Sequence, residues 1–489
     1  SNNTAVGYAA LYLNTTGTSN VAVGTNALDA NTTGVDSVAI GVDALGAQTA
    51  GGDNVAIGHL ALSTLTTAGN NVAVGDRAMQ ASTSGENNVA VGTLAMDANT
   101  TGGSNVGVGR DALGANTTGS NSTAVGKAAL HTTTTQSNNT AVGFQSLYTL
   151  NGGADNTAMG HNSLFNATTA DNNVAIGKSA MENVTSGSAN TAIGKEALDA
   201  NTTADNNVAI GSGCLGSNTT GTSNTSVGTG ALNANTTADS NTAVGYLALV
   251  TSTTAARNTA VGHGALDSVT TGGNNTGIGW YAGDAATTAA GCTIVGYNGG
   301  QGCTTAHQQV AIGFETTSQN IDGSVTIGGS VASASSSSRY ITIGYGSDRT
   351  YIQPGGSSWS GTSDSRLKEN ITNHSLGLNF VNALRPVTYN WKKEKDVDNS
   401  LTYYREDSNK RVNQDSETAE LKHGFIAQEV KSLLDSNSLD SKSFNLWMEM
   451  DDGTQGLSEG ELIPILVKAL QEADDKIDAL TTRIEALEG

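Results

Sequence analysis

Residues able to do chemistry are sparse in this chain, and most stand without partners. The three cysteines, Cys214, Cys292 and Cys303, are too few and too irregularly spaced for a disulfide framework or a zinc site. Cys214 fills a position that equivalent segments give to Ala, which marks it as a small core residue; whether Cys292 and Cys303 pair is left open by the spacing. His423, beside Gly424, lacks the neighbours a metal site needs and reads as structural. No cofactor is called for. Glycoside hydrolysis needs two carboxylates about 5 to 10 Å apart in a cleft. The 20 acids of residues 1–362 are scattered, and only 22 aromatic residues in the whole chain are there to stack on sugars, so a polysaccharide depolymerase is the weaker alternative.

The elements that carry these residues fall into two parts of different composition. Residues 1–362 hold 20 acids and 8 bases, whereas residues 363–489 hold 24 acids and 15 bases. The net charge of -21 excludes nucleic acid and anionic membrane as partners, since both need clustered Lys and Arg. No stretch approaches the roughly 20 consecutive apolar residues of a membrane helix, so no membrane insertion is expected. The chain opens on Ser1 inside a repeat, and a further upstream region is expected.

Glycine recurs at a constant spacing of 17 from Gly7 through Gly160 to Gly313, nineteen times without a slip, followed by Gly328 and Gly344 at spacings of 15 and 16. Each unit reads Asn-(Val/Thr)-Ala-(Val/Ile)-Gly-x-x-Ala-Leu and then a polar run such as Asp-Ala-Asn-Thr-Thr-Gly, as in Asn54 to Leu62. The first half alternates with period two, placing Val55 and Ile57 on one face and Ala56 on the other, and the Asn-Thr-Thr-Gly run is turn chemistry. Two short strands and two turns per unit are expected. So small a unit cannot offset the ordering entropy of its own backbone, roughly 1 to 2 kcal/mol per residue, and must stack on its copies. Stacked at about 4.8 Å, the units build a parallel β-solenoid rod roughly 85 Å long.

No Pro precedes Pro354, as a ladder with neighbours on both sides requires. Asn stands four residues before the glycine in 15 of 19 units, and Thr-Thr begins eight residues after it in 14 of 18; side-chain ladders along the rod account for both. An ice-binding Thr array and glycan acceptance at Asn31-Thr32-Thr33 are weaker alternatives. A calcium-binding nonapeptide roll needs a repeating Asp in a Gly-Gly-x-Gly-x-Asp frame and is excluded because the acids fall irregularly between units. Ala two residues before the glycine (Ala22, Ala39, Ala56, Ala73, Ala90) is expected to form a small apolar outer face, packed against identical stripes in an oligomer. The unit resembles the Asn-x-Ala-Ile-Gly-x-x-Ala repeat of YadA-type trimeric autotransporter heads, over roughly residues 1–345, although that family's period is shorter. The resemblance implies three β-rolls around one axis.

Beyond Tyr345 a joint rich in Gly and Ser (Gly355, Gly356, Ser357, Ser358, Ser360, Gly361) leads to a segment of ordinary composition. Three blocks there resemble the peptidase S74 family, the intramolecular chaperone of endosialidases and other phage tail proteins: Thr362-Ser363-Asp364-Ser365-Arg366-Leu367-Lys368-Glu369-Asn370-Ile371, then Leu384 to Trp391, then His423 to Val430. The resemblance implies a domain that trimerises and folds the fibre ahead of it and then cuts itself free at its N-terminal border. Ser363 is then the nucleophile, Lys368 its base, and Thr362–Ser363 the bond cut. The chemistry is coherent, because a serine hydroxyl needs a proton acceptor and a buried lysine amine with its pKa lowered from about 10.4 toward 7 supplies one. Residues five apart lie about 140° around a helix, so a turn or a contact between chains must join them. The plain alternative for Ser363 is a helix N-cap.

The tail carries Ile463, Leu466, Leu470, Ala473, Ile477, Leu480, Ile484 and Leu487 at alternating spacings of three and four, a coiled-coil seam. Its three-strandedness is implied by the resemblance and not by the seam. The expected fold is mainly β: a solenoid shaft (1–345), a joint (346–362), a small α+β chaperone and autoprotease domain (363–461) and a coiled-coil tail (462–489). The expected function is that of a homotrimeric phage tail fibre, in the virion and extracellular, whose only catalysis is one self-directed cut. Its partners are a host cell-surface receptor, glycan or protein, and an upstream virion or fibre component. A bacterial surface adhesin is the alternative of the same structural class.

Overall fold

Alternation of Val-Ala-Val type triplets yields one three-residue strand per coil, such as Val55–Ile57. The structure, a computed structural model, describes residues 2–333, 339–352, 365, 368–413, 417–439, 445–450 and 453–488. These form two compact units, Ser1–Thr362 and Ser363–Gly489. In the first, Val55 pairs in parallel with Val38 on one side and Val72 on the other, and the same register holds from Thr4–Val6 to Val310–Ile312. Val310 then pairs with Val325 and Val325 with Ile341, so the two shortened coils at Gly328 and Gly344 join the same ladder. Asp348–Ile352, within the segment read as a joint, turns back antiparallel on Ile341–Tyr345 and ends the 22-stranded sheet. The chain is a parallel β-solenoid followed by a small β and helical region.

The expected second strand of each coil is absent among the described residues, and the core explains why. Ala27 and Leu28 are adjacent and both fully buried, as are Ala44 and Leu45, which strand alternation forbids. Asn26 and Leu28 instead adopt φ values of +55° and +51°, a conformation costing about 1 to 2 kcal/mol per non-glycine residue. Backbone bonds on both sides hold it: the Asn26 N–H donates to Tyr8 O at 2.9 Å and the Leu28 N–H to Ala44 O at 3.1 Å.

The alanine column faces inward, reversing the expected orientation. Ala22, Ala39, Ala56 and Ala73 are wholly buried, whereas Ile57 is 38% exposed. The roll leaves room for little more opposite the leucine column, and Ile294 takes the alanine position where Gly300 stands in place of leucine. Where the alanine is replaced by Gly107, a Cβ would lie 2.9 Å from Cγ of Met96, which occupies the space instead. The outward stripe therefore consists of the Val, Ile and Thr side chains that flank each alanine.

The recurring glycine is required by contact and by conformation together. Gly58 has φ +139°, and a Cβ there would sit 2.6 Å from the carbonyl carbon of Gly75 in the next coil. The polar columns are ladders, as expected. Asn54 Oδ1 accepts the Asn71 N–H at 3.0 Å and its Nδ2 donates to Ala68 O at 2.9 Å, all inside the roll, while the Thr32 hydroxyl donates to Thr49 O at 2.8 Å. A buried amide with both ends satisfied avoids the roughly 1 to 3 kcal/mol cost of an unpaired group. Cys214 is buried in a column held mostly by alanine.

The second unit closes three helices, α1 (Leu378–Ala383), α2 (Ala427–Ser436) and α3 (Leu462–Glu488), over Leu376, Phe380, Val430, Leu434, Leu446, Trp447, Leu462 and Ile465. Helix α1 has Gly377 at its start and no side-chain cap of its own. Glu472 of α3 supplies one, accepting the Leu378 N–H at 2.8 Å, and this hydrogen bond holds the Glu472 carboxyl below its usual range. No described helix is long and apolar enough to cross a membrane.

Candidate self-cleavage and assembly site

At the entrance to the second unit the Lys368 N–H donates to Ser365 O at 3.2 Å. The Lys368 side chain is exposed. Thr362 and Ser363, the expected bond and nucleophile, lie outside the described residues.

The other two sequence blocks come together in space. Val387, Thr388 and Tyr389 pair antiparallel with Gly424, His423 and Lys422. Arg385 and Glu429, far apart in the chain, form a forked ion pair with Nε at 3.0 Å from Oε2 and a second contact from Nη2 to Oε1. That guanidinium holds the Glu429 carboxyl below the ordinary range, and both side chains stay largely exposed. His423 points outward on its strand. Among the described residues no group of three His, Cys, Asp or Glu is placed to hold a metal.

Helix α3 divides its apolar residues between two faces. Leu462, Ile465 and Ala469 are buried against the unit's own core. The heptad positions look outward, with Ile463 62%, Leu470 73%, Ile477 59% and Leu480 59% exposed. Four such residues on one side of a helix leave a large apolar surface in water within a single chain.

Two features of the shaft escaped the sequence reading although their signals were present. Position one after the glycine is aromatic in five successive coils, Tyr246, His263, Trp280, Tyr297 and Phe314. Their rings stack at centroid distances of 5.1, 5.8, 4.7 and 5.2 Å. The column is a side-chain ladder of aromatic rings along the shaft. The acids also have an order: Asp97, Asp199, Asp267 and Asp284 each stand five residues after a repeat glycine, and burial pushes each carboxyl up.

The family described as the chaperone of endosialidase, Peptidase_S74, matches residues 363–439. The match begins at Ser363, where the second compact unit begins, and covers the paired blocks and α2. The C-terminal region thus carries a chaperone-of-endosialidase domain, and its union with a β-solenoid fits a phage tail fibre or tailspike-like protein. No curated protein matches the chain.

Proposed function

We propose that the chain is one protomer of a homotrimeric receptor-binding fibre whose C-terminal domain nucleates trimerisation, lets the shaft zip up behind it, and then severs the Thr362–Ser363 bond. The observation that carries this reading is the unpartnered heptad face of α3 on a domain of the chaperone family. Two further copies of the same helix cover that face, and the outward Val and Ile stripes of the shaft then meet their own copies.

In the proposed cut, the Ser363 hydroxyl gives its proton to a neutral Lys368 amine as its oxygen attacks the Thr362 carbonyl carbon. The Thr362–Ser363 C–N bond breaks as Lys368 passes the proton to the Ser363 amine, and water hydrolyses the ester left on the Ser363 oxygen. Lys368 is exposed in one chain, so the desolvation that favours a neutral amine comes from a neighbouring protomer. Cleavage then waits for assembly. The shaft, held in the virion by an upstream component, goes on to engage a host surface receptor.

A denaturing gel tests the cut directly. Wild type is expected to run as two pieces, 1–362 and 363–489, and Ser363→Ala as the single uncut chain. Identical intact bands for both would sink the protease reading. Cleavage by a monomeric seam variant would sink its dependence on assembly.

A further inference from the structure

Cys292 stands four residues before Gly296 and Cys303 seven after it. These are the columns that hold interior asparagines elsewhere, Asn20 and Asn31 around Gly24, Asn207 and Asn218 around Gly211. The two columns meet inside a coil, as the 3.2 Å bond from Gln48 Nε2 to Ser37 Oγ around Gly41 demonstrates. Around Gly296 both members are thiols, each 1% exposed, with sulfurs 3.7 Å apart. The contact with the Cys303 thiol, with the backbone N–H groups of Gln309 and Gln308, draws the Cys292 thiol down to about 7 against the opposing effect of burial. The same partnership, with burial, pushes Cys303 up. Two thiols in contact inside one coil are placed to exchange with a disulfide and then with each other.

We propose that Cys292 and Cys303 are joined by a disulfide that braces this coil across its interior once the chain meets an oxidising environment. The oxidant is a low-molecular-weight disulfide. The Cys292 thiolate attacks one of its sulfurs and expels the other half as a thiolate. Cys303 then gives up its proton, and its sulfur attacks the Cys292 sulfur of the mixed disulfide, expelling the second half. Two protein thiols are oxidised to one disulfide, the small disulfide is reduced to two thiols, and the two protons end on the leaving thiolates. Both sulfurs are buried, so exchange proceeds through local opening of the coil or before it closes.

The location gives the brace a purpose. The Cys292 N–H still bonds Asn275 Oδ1 at 2.9 Å, continuing the ladder from the preceding coil. Neither thiol, however, carries both the carbonyl and the amine with which asparagine binds neighbouring backbone. The coil stands one full coil before the two shortened ones at Gly328 and Gly344. A covalent tie there replaces two lost amide contacts next to the end of the sheet.

The test is to incubate the full chain with oxidised glutathione, alkylate in denaturant and count thiols. The count is expected to fall from three to one, with Cys214 remaining. Chymotryptic cleavage after Tyr281, Tyr297 and Phe314 separates the pair, and the two peptides are expected to travel together until reduced. Three persisting thiols, a bond to Cys214, or a dimer on a non-reducing gel would overturn the proposal. Amide exchange over 292–310 provides a second measurement that needs no variant. It is expected to quicken about tenfold on reducing the bond, and unchanged exchange would overturn the bracing role.

Discussion

The shaft and the C-terminal unit solve the same problem, ordering a chain with little to bury, in opposite ways. In the shaft most contacts are made many times: the Asn54 amide, the Thr32 hydroxyl and the Gly58 backbone each have counterparts in coil after coil. Stability there is a sum over neighbours. In the C-terminal unit each contact occurs once, as with the Arg385–Glu429 fork or the Glu472 cap on α1, and an apolar seam stays exposed. Repetition makes a shaft extensible but gives it no means of choosing its register. In the proposed fibre the unrepeated unit would supply that means.

Substitution in the glycine column should break the contrast most severely. Gly160 has φ +138°, and a side chain there would sit 2.7 Å from the carbonyl carbon of Gly177. Gly160→Val is expected to cost about 4 kcal/mol, and limited proteolysis should show one new cut near residue 160 with distant coils still protected. Cuts spread along the shaft would mean that it does not behave as a nearest-neighbour array. In the other unit, Ile477→Asp with Leu480→Asp should weaken self-association at least about 100-fold by putting charge on the seam, read by sedimentation. Unchanged mass would remove α3 from the interface.

A finer distinction comes from Asn156, whose Oδ1 accepts the Asn173 N–H at 3.0 Å and whose Nδ2 donates to Ala170 O at 2.7 Å. Asn156→Ala is expected to cost about 1 to 3 kcal/mol, seen as faster amide exchange at Asn173 with little change in distant coils. The smallest effect is in the response to acid. Asp97, Asp199, Asp267 and Asp284 have carboxyls raised by burial, so their charge opposes folding at neutral pH and acidification through the carboxylate range relieves it. Glu429 and Glu472 are held low by partners, so their contribution is present above the ordinary carboxylate value and is lost as pH falls through the lowered one. Melting curves should show the C-terminal transition falling with acid while the shaft's holds. Arg385→Met should narrow that gap, and parallel pH responses of the two transitions would falsify the assignment.

Much of this was legible beforehand, for local reasons. Nineteen glycines at one spacing, alternating triplets and recurring Asn and Thr impose a parallel ladder, because identical units bury themselves best against each other in register. The three blocks of the C-terminal part were legible as a family signature. The pairing of Arg385 with Glu429 was not, since nothing local ties two side chains so distant along the chain.

What the sequence determined by itself is therefore the period, the parallel pairing of the Val/Thr-Ala-Val/Ile triplets from coil to coil and the polar ladders, all of which follow from repetition. Only the tertiary structure decided that alanine points in and valine out, that one wall of the coil is left-handed backbone in place of a strand, and that Cys292 faces Cys303. Each of these depends on the distance between two opposing walls of the roll, a quantity set by whatever must fit between them and carried by no single stretch of the chain.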